Sequence, residues 1–563
     1  MKKIIFSVFI LLTYSLSLYS QQVISISTAT LKSIDVNSLK ENIKILASDE
    51  FEGRGVASKG EDLTINYISK QFESLGLKPA GENGGYFQKV PLVGMTPDEK
   101  SIICEFSADG NKLPLQYRKD YVLWTKRVTP NINVADKDVI FAGYGIVAPE
   151  YNWNDFKNID VKDKIVLVLV NDPQIPDSKD PTQLDNTMFE GKAMTYYGRW
   201  TYKFEEAARQ KCAGALVIHE DGPAGYKWNV VESSNTGELF SLEAENNNMD
   251  RAFFEGWITY DTAKKLTNMA GYNIEDLKQK ALQKNFQPVN LHTKANVNFD
   301  NAIKKVQSNN VAGLLEGRDN KLKNEYVLYM AHWDHFGIGT PKNGDAIYNG
   351  ATDNAMGVSA LFELAKAFNM SENGPSRSVV FLSVTAEEQG LLGSQHYAEH
   401  PLFPLNKTLA VINMDGLNTF GKTKDITIVG YGKSTMDEYA ENAAKMQGRI
   451  ISKDPETEKG FYYRSDHFNM AKKGVPALDP DQGTIYIDKS EDYGMQRREW
   501  YNENIYHTPF DEYDESWDLT GAIEDLQLLF TVGYMLTETN VWPVWKEGSE
   551  FKAIREASLK ESM

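Results

Sequence analysis

The segment YVLYMAHWDHFG, residues 326–337, joins a run of apolar and aromatic residues to a polar end that closes on a glycine. Such a run predicts a buried β-strand that ends near Met330 and leads into a loop. SVVFLSVTAEE (378–388) and TLAVINMDG (408–416) have the same form, and both end in acidic residues. Near-continuous apolar strands are typical of a parallel sheet that is covered on both faces. These stretches therefore predict an α/β fold with a largely parallel central sheet.

Helical patterns surround these strands. MGVSALFELAKAF (356–368) places an apolar stripe on one face at three- and four-residue spacing, as an amphipathic helix requires. Residues 39–78 are mostly helical in pattern, and the turn-rich connector SDEFEGRGVASKG (48–60) interrupts them. Strands flanked by helices in this way predict helices on both faces of the sheet.

From about residue 136 the sequence pattern changes to short β-branched and aromatic runs. DVIFAGYGI (138–146) and DKIVLVLV (163–170) predict short strands, and residues 203–211 predict one helix before the strand ALVIH (215–219). We expect a smaller, β-rich inserted domain that ends near Val297. A chain of 563 residues is long enough for one large domain and one smaller one.

The net charge restricts the possible binding partners, and the N-terminal sequence predicts where the protein is located. With 60 basic and 78 acidic side chains the net charge is −18, which disfavours a nucleic-acid partner because phosphate binding needs a basic face. Lys2 and Lys3 precede an apolar stretch and Ser20, the pattern of a cleaved signal peptide. We therefore expect export, periplasmic or extracellular. No later apolar run approaches about 18 residues, so no stable membrane insertion is expected.

Side chains that bind metals follow the predicted strands. The five candidates are two histidines and three carboxylates: His332, Asp353, Glu388, Asp415 and His507. Ligands in such sheets gather beyond the carboxyl ends of the strands. Two histidines and three carboxylates suit two closely spaced zinc ions that share one carboxylate. His335 is a weaker competitor for the same role.

These blocks resemble a known family. AHWDHFG, NGATDNAMG, TAEEQGLLGS, NMDG and YHTPFDEYD are similar to those of the dinuclear zinc aminopeptidases, whose relatives include glutamate carboxypeptidases and glutaminyl cyclases. SDEFEGRG resembles the start of the same catalytic domain, and RSDHFNMAKKGVPAL resembles a substrate-side loop that includes His467. The inserted strands resemble a protease-associated domain.

The resemblance implies a role for each residue. Asp353 bridges two zinc ions, His332 and Asp415 share one of them, and Glu388 and His507 share the other. Glu387 is implied as the general base, and Asp334 as the outer carboxylate that orients His332. Tyr506 is implied to steady the tetrahedral intermediate, and His467 is a tentative substrate contact. Thr352 and Met356 depart from the residues usual in the family, and neither replaces a ligand.

The expected division of the chain follows from these blocks. It comprises a signal peptide (1–20), the N-terminal part of the catalytic domain (21–130), the inserted protease-associated domain (131–297), the metal-binding part of the catalytic domain (298–545) and a charged C-terminal tail (546–563). Cys104 and Cys212 are the only cysteines, and the sequence leaves open whether they pair.

The expected activity is removal of N-terminal residues from peptides by a metallo-exopeptidase with two zinc ions per chain. A carboxypeptidase is an alternative, in which Arg464 or the Arg497–Arg498 pair would hold a terminal carboxylate. A glutaminyl cyclase is disfavoured because such cyclases generally use one zinc ion and this chain has all five ligands. A catalytically inactive peptide-binding protein is the alternative from another class. The sequence does not indicate an oligomeric state.

Overall fold

The computed structural model describes residues 26–560. The expected signal peptide, residues 1–20, lies outside the described residues. The main sheet has a parallel centre in the order Ser378–Val384, Tyr326–His332, Thr408–Asn413 and Ala477–Asp481. Asp425–Val429 joins antiparallel at one side and Ile450–Lys453 follows it in parallel. The largely parallel α/β sheet predicted from the sequence is confirmed.

Alternate residues of the strand Tyr326–His332 bury opposite faces of the sheet, as the two-residue period of a strand requires. Tyr329 and Ala331 belong to one apolar core, while Leu328 and Met330 belong to another. The larger core is covered by the helices Val36–Leu46, Lys59–Ser74, Met356–Asn369, Met436–Met446 and Thr520–Glu538. The other face is covered by Leu392–Glu399 and His467–Lys472. The sheet is thus buried on both sides.

A second sheet forms the inserted domain. It contains Asn111–Leu113, Ile103–Ala108, Asn131–Phe141, Ile165–Leu169, Gly214–His219, Phe254–Thr259 and Tyr121–Trp124. The helices Trp200–Arg209, Asp221–Ala224, Trp228–Ser234, Tyr260–Met269 and Ile274–Ala281 belong to the same part of the chain. Three strands of this sheet, Ile103–Ala108, Asn111–Leu113 and Tyr121–Trp124, precede residue 131, the expected start of the inserted domain.

One 27-residue strand, Val289–Leu315, belongs to both sheets. Its first part pairs with Asn131–Phe141 and Ile103–Ala108 in the inserted sheet. Its second part pairs with Phe87–Pro97 and Ser378–Val384 in the main sheet. The short strand Lys78–Pro79 pairs with its end, and Leu239–Leu242 pairs with Phe87–Pro97. The two domains are therefore joined through continuous backbone pairing.

The C-terminal segment, expected from the sequence as a charged tail, contains a helix that contacts the metal-binding part of the chain. Phe551 is buried, and the helix Lys552–Lys560 follows it. Arg555 lies on this helix and donates hydrogen bonds to the carbonyl oxygens of Leu405 and Thr408. The two cysteines are buried and unpaired. The remaining helices are Thr28–Lys32 and Tyr493–Asn504.

Substitution of two methionines, one buried and one exposed, tests how much the core against the sheet contributes to the free energy of unfolding. Met330 is fully buried beneath the strand that carries His332, whereas Met446 is 56% exposed at a helix end. We expect Met330→Ala to lower the free energy of unfolding by about 2–5 kcal/mol, because it leaves a cavity in the core. Met446→Ala removes the same atoms from an exposed position and should change it by less than about 0.5 kcal/mol. Urea unfolding of both variants measures the difference, and equal losses would contradict the assignment of Met330 to the core.

Candidate metal centre

The carboxyl ends of the parallel strands bring the predicted ligands together. His332 ends the strand Tyr326–His332, and its Nε2 lies 3.1 Å from Asp415 Oδ1 and 3.2 Å from Asp353 Oδ1. His507 reaches the same place from a distant loop, with Nε2 3.3 Å from Asp353 Oδ2 and 3.2 Å from Glu388 Oε2. The two oxygens of Asp353 therefore face two different imidazoles.

The donor set fits metal ions of the zinc type. One group that can hold a cation contains His332, Asp353 and Asp415, and a second contains His335, Asp353 and Glu388. In each group the ligand atoms lie within 4.8 Å of one another. Imidazole nitrogen and carboxylate oxygen are ordinary zinc ligands, and Asp353 is common to both groups. The geometry supports a pair of cation sites that share this carboxylate.

His335 lies closer to the centre than the sequence suggested. Its Nδ1 is 2.6 Å from Glu388 Oε1, and its ring centroid is 6.0 Å from that of His507. Its Nε2 is buried and has no hydrogen-bond partner among the described residues. The loop after the strand Tyr326–His332 thus presents two imidazoles to the site.

The acidic groups repel one another in this buried setting. Burial and the charges of Asp353 and Glu387 raise the pKa of Glu388 well above its usual range. Burial would lower the pKa of His332, but Asp415 and Glu387 raise it well above its usual value. Both directions report an excess of negative charge, and a bound cation relieves such an excess.

Asp334 supports two neighbouring strands at once. Its carboxylate is buried and accepts hydrogen bonds from the backbone N–H groups of Glu387, at 3.0 Å, and Glu388, at 3.3 Å. His332 Nδ1 lies 3.1 Å from the Asp334 carbonyl oxygen and 3.8 Å from its carboxylate. Asp334 therefore holds the turn that carries both glutamates and also fixes the His332 ring, mainly through its backbone.

Tyr506 and His467 occupy contrasting positions. The Tyr506 ring stacks on that of His507 with centroids 3.7 Å apart, lines the cleft and is 46% exposed. His467 is fully buried and packs edge-on against Tyr462, with Nδ1 3.5 Å from Asp479 Oδ1. The ring of His467 is thus packed in the core and does not line the cleft in the described structure, and its expected substrate contact stays a prediction. Its neighbour Ser465 reaches the site instead, and its Oγ donates to Asp415 Oδ2 at 2.7 Å.

Arg54 is a residue that the sequence analysis did not single out. Its guanidinium is fully buried and donates to five carbonyl oxygens, those of Leu46, Trp333, Asn349, Gly350 and Asp353. Three of these acceptors lie in the loop that carries Asp353. Burial lowers the pKa of Arg54 to about 10, so it stays charged at neutral pH. Its place in the glycine-rich block SDEFEGRG was the only signal in the sequence.

Asp511 holds the same loop from the other side. Its carboxylate accepts hydrogen bonds from the backbone N–H groups of Thr352 and Asp353, and its carbonyl accepts one from Ala351. Gly350 has a φ of +55° at the start of this loop and presents its carbonyl to Arg54. The loop that carries Asp353 is thus held between the buried guanidinium of Arg54 and the buried carboxylate of Asp511.

A cleft between the two domains opens onto this centre. Its volume is about 2230 Å³, and it is lined by Asp353, Glu387, Asp415, Tyr506 and residues of the inserted domain. Among residues 26–560, no helix has the length and apolar character needed to span a bilayer.

Comparison with known proteins identifies the segment that carries the centre. Residues 310–531 match the family described as "Peptidase family M28", which confirms the resemblance seen in the motifs. "Aminopeptidase NAALADL1" of Mus musculus is 30% identical over 239 residues, which are 39% of this chain and 29% of that protein. "Vacuolar membrane protease" of Lodderomyces elongisporus is 26% identical over 173 residues, 31% of this chain and 16% of that protein. The chain thus spans less than a third of these curated relatives.

Among solved structures, "Aminopeptidase from Aneurinibacillus sp. strain AM-1" is similar over 90% of this chain and 95% of that one. The TM-score is 0.50 at 17% sequence identity, so this likeness shows the fold alone.

Arg54 gives a test of how the loop is positioned. Arg54→Lys keeps a positive charge but cannot supply donors in a rigid fork to five carbonyls. We expect zinc affinity to fall by about 10- to 100-fold, as for other groups that orient ligands without touching the metal. Arg318→Lys is the matched control, because Arg318 is exposed and pairs with Glu538 at 2.9 Å. Zinc titration against a competing chelator measures both, and wild-type affinity in a folded Arg54→Lys protein would exclude this role.

Proposed function

We propose that this protein is an exported zinc-dependent aminopeptidase that removes N-terminal residues from peptides. The observation that carries the proposal is the placement of Asp353, whose two oxygens face His332 and His507 at 3.2 and 3.3 Å. One carboxylate between two separate imidazole groups is the arrangement that two adjacent cations need. The match of residues 310–531 to a peptidase family supports hydrolysis of peptide bonds as the reaction.

In this proposal two zinc ions are held by His332 and Asp415 on one side, by Glu388 and His507 on the other, and by Asp353 between them. His335 lies within reach of the second group. When bound, zinc ions polarise a carbonyl group and lower the pKa of water toward neutrality. The chain supplies the fixed positions of these ligands through Arg54, Asp334 and Asp511.

Glu387 is the proposed general base. Its neighbour Glu388 is engaged by His335 and His507, but the Glu387 carboxylate has no hydrogen bond or ion pair to any residue within 26–560. Both lie in the turn that follows the strand Ser378–Val384, and Glu387 lines the cleft. A free carboxylate there takes a proton from the attacking water and returns it to the leaving amine.

Tyr506 is the proposed hydrogen-bond donor to the oxygen of the attacked carbonyl. Its ring is held against His507, so the phenol is kept beside the ligands while it remains open to the cleft. A hydroxyl donor fixed in this way stabilises charge that develops in the transition state. We propose this role for Tyr506 alone among the tyrosines of the cleft.

The charge of the centre favours substrates with a free amino terminus. Asp353, Glu387, Glu388 and Asp415 meet in one cleft, and Arg54 behind them is already occupied by carbonyl oxygens. Glu387 is the one of these carboxylates that is not a proposed zinc ligand, so it remains free to attract a protonated α-amino group, whereas a blocked terminus has no charge to offer. Free-amine peptides are therefore the proposed substrates.

The substrate panel that tests this function contains peptide amides with a free or an acetylated amino terminus, assayed with added zinc. We expect release of the first residue from the free-amine peptides and a loss of at least about 100-fold in kcat/KM on acetylation. An added series of acetylated peptides with a free carboxyl terminus, if cleaved from that end, would show a carboxypeptidase. Binding without cleavage of either series would show an inactive peptide-binding protein.

The two neighbouring glutamates separate proton transfer from metal binding. Glu387→Gln should keep both zinc ions and lose about 10²–10⁴-fold in kcat, because a general base contributes that much. Its effect on substrate binding should be small, since the interaction is made in the transition state. Glu388→Gln should lose zinc, because an amide oxygen is a weaker ligand than a carboxylate.

Metal analysis and steady-state kinetics on both variants measure these outcomes. Loss of zinc by Glu387→Gln with retention by Glu388→Gln would exchange the two roles. Retention of both metal and turnover in the two variants would exclude the mechanism.

A further inference from the structure

Two histidines outside the metal centre lie in contact at the end of one helix. The segment HYAEH (396–400) places His396 in the last turn of the helix Leu392–Glu399 and His400 at its C-cap. Their ring centroids are 4.7 Å apart and their ring planes are inclined by 27°, so the imidazoles are stacked. Among residues 26–560, no other pair of histidine rings is in contact away from the metal centre.

The spacing of the pair is one that binds metal ions. Side chains four residues apart lie on the same face of a helix, so both imidazoles point to the same side. Two histidines at this spacing are the recurrent zinc ligands of helical motifs. The pair takes no part in the centre described above, because neither ring lines the cleft.

The backbone holds both residues in place before any ligand binds. The His400 N–H donates to the His396 carbonyl oxygen at 2.8 Å, which closes the last turn of the helix. The buried side chain of Gln88 donates from its Nε2 to the His400 carbonyl oxygen at 2.7 Å. Because these bonds fix the backbone at both positions, binding of an ion by the two rings costs little conformational entropy.

His396 presents a neutral imidazole with one nitrogen free. It is buried, and burial together with the nearby His400 lowers its pKa below the usual value. A hydrogen bond from the ring to the backbone carbonyl of Lys89 acts in the opposite direction. A carbonyl acceptor on one ring nitrogen fixes the tautomer and leaves the lone pair of the other nitrogen for a metal ion, as is usual for metal-bound histidines.

The surroundings of the pair favour a cation. The C-terminus of a helix carries partial negative charge from its unpaired carbonyl groups. The carboxylates of Glu82 and Glu399, both exposed, add negative charge at His396. The His400 ring is exposed and makes no hydrogen bond or ion pair with any residue in 26–560, so its nitrogens are available. Two imidazoles in a negative field suit a positive ion.

The pair supplies two ligands, which sets the kind of ion and the strength of binding. The groups of three close metal-type ligand atoms within residues 26–560 all lie at the metal centre, so no third protein ligand completes this site. Water then fills the remaining positions, and the ion stays exchangeable. Among divalent ions Cu²⁺ binds nitrogen donors most strongly, and Ni²⁺ and Zn²⁺ also accept imidazole.

We propose that His396 and His400 form a separate, exchangeable site for one divalent ion of the copper, nickel or zinc type. The site lies outside the metal centre and does not depend on the proposed peptidase function. A chain whose metal centre is already filled with zinc therefore still binds one further ion.

Copper binding to the untagged protein tests the site. The protein is first loaded with zinc, which gives no electron paramagnetic resonance signal, and then receives Cu²⁺ up to one equivalent. We expect one bound Cu²⁺ per chain, with nitrogen hyperfine splitting from two imidazoles and no release of zinc. His396→Gln and His400→Gln should each lower the copper affinity by about 10²-fold or more, because two linked ligands bind an ion far more tightly than one.

His292→Gln is the matched control. His292 is an exposed, single histidine on the strand Val289–Leu315, and its loss should leave the copper affinity and the number of bound nitrogens unchanged. His400 is exposed as well, so His400→Gln should keep the Tm that the wild type has before copper is added. A change in copper binding by that variant then reports the lost ligand and not a loss of folding.

Three outcomes would overturn the proposal. Wild-type copper affinity in both His396→Gln and His400→Gln would place the ion elsewhere. Release of one zinc ion for each Cu²⁺ bound would place the copper in the metal centre. Absence of bound copper at one equivalent would show that the two rings are only stacked. None of these outcomes bears on whether peptides are cleaved, so the peptidase proposal is tested separately.

Discussion

Repulsion among buried acids is the constraint around which the rest of this structure is arranged. Asp353, Glu388 and Asp415 converge on His332 and His507 at distances of 3.1–3.3 Å, and burial strengthens every interaction between their charges. Such a cluster holds together only if cations enter it and if rigid groups keep the carboxylates apart. Asp334, Asp511 and Arg54 provide that rigidity from behind, through backbone hydrogen bonds.

The same reasoning links the metal centre to the cleft above it. The carboxylates of the cleft, Asp353, Glu387, Glu388 and Asp415, carry excess negative charge until cations enter. Once the proposed cations are bound, Glu387 is the carboxylate left free to attract the ammonium group of the proposed substrate.

The sequence predicted the strands and the metal-type residues well, because both depend on local patterns. Apolar runs identify buried strands, and the rule that ligands gather at strand ends brings His332, Asp353, Glu388 and Asp415 together without coordinates. Family motifs were needed for His507, which lies on a distant loop. The resemblance also suggested His467, whose ring is buried, whereas Ser465, two residues earlier and outside the helix His467–Lys472, contacts Asp415.

Long-range partners were beyond the sequence. Arg54 and the loop carbonyls that it binds are almost 300 positions apart, and no local pattern marks such a pairing. Arg199 likewise has no hydrogen bond or ion pair for its side chain within residues 26–560, and only the packing of its surroundings reveals this. The strand Ile103–Ala108 alternates buried residues with exposed or half-exposed ones, as the margin of a sheet does, so its pattern carries little signal of its place in the second sheet.

The strand Val289–Leu315 also limits which changes to the domains this protein can tolerate. One continuous strand pairs in both sheets, so the inserted domain is joined to the catalytic domain by backbone hydrogen bonds and not by linkers alone. Deleting the inserted domain would remove the pairing partners of half of that strand. It would leave an unpaired sheet edge beside Phe87–Pro97, a surface prone to self-association. Truncation and domain exchange, which succeed in proteins with tethered modules, are poorly suited to this architecture, and changes in selectivity are better made by substitution within the cleft.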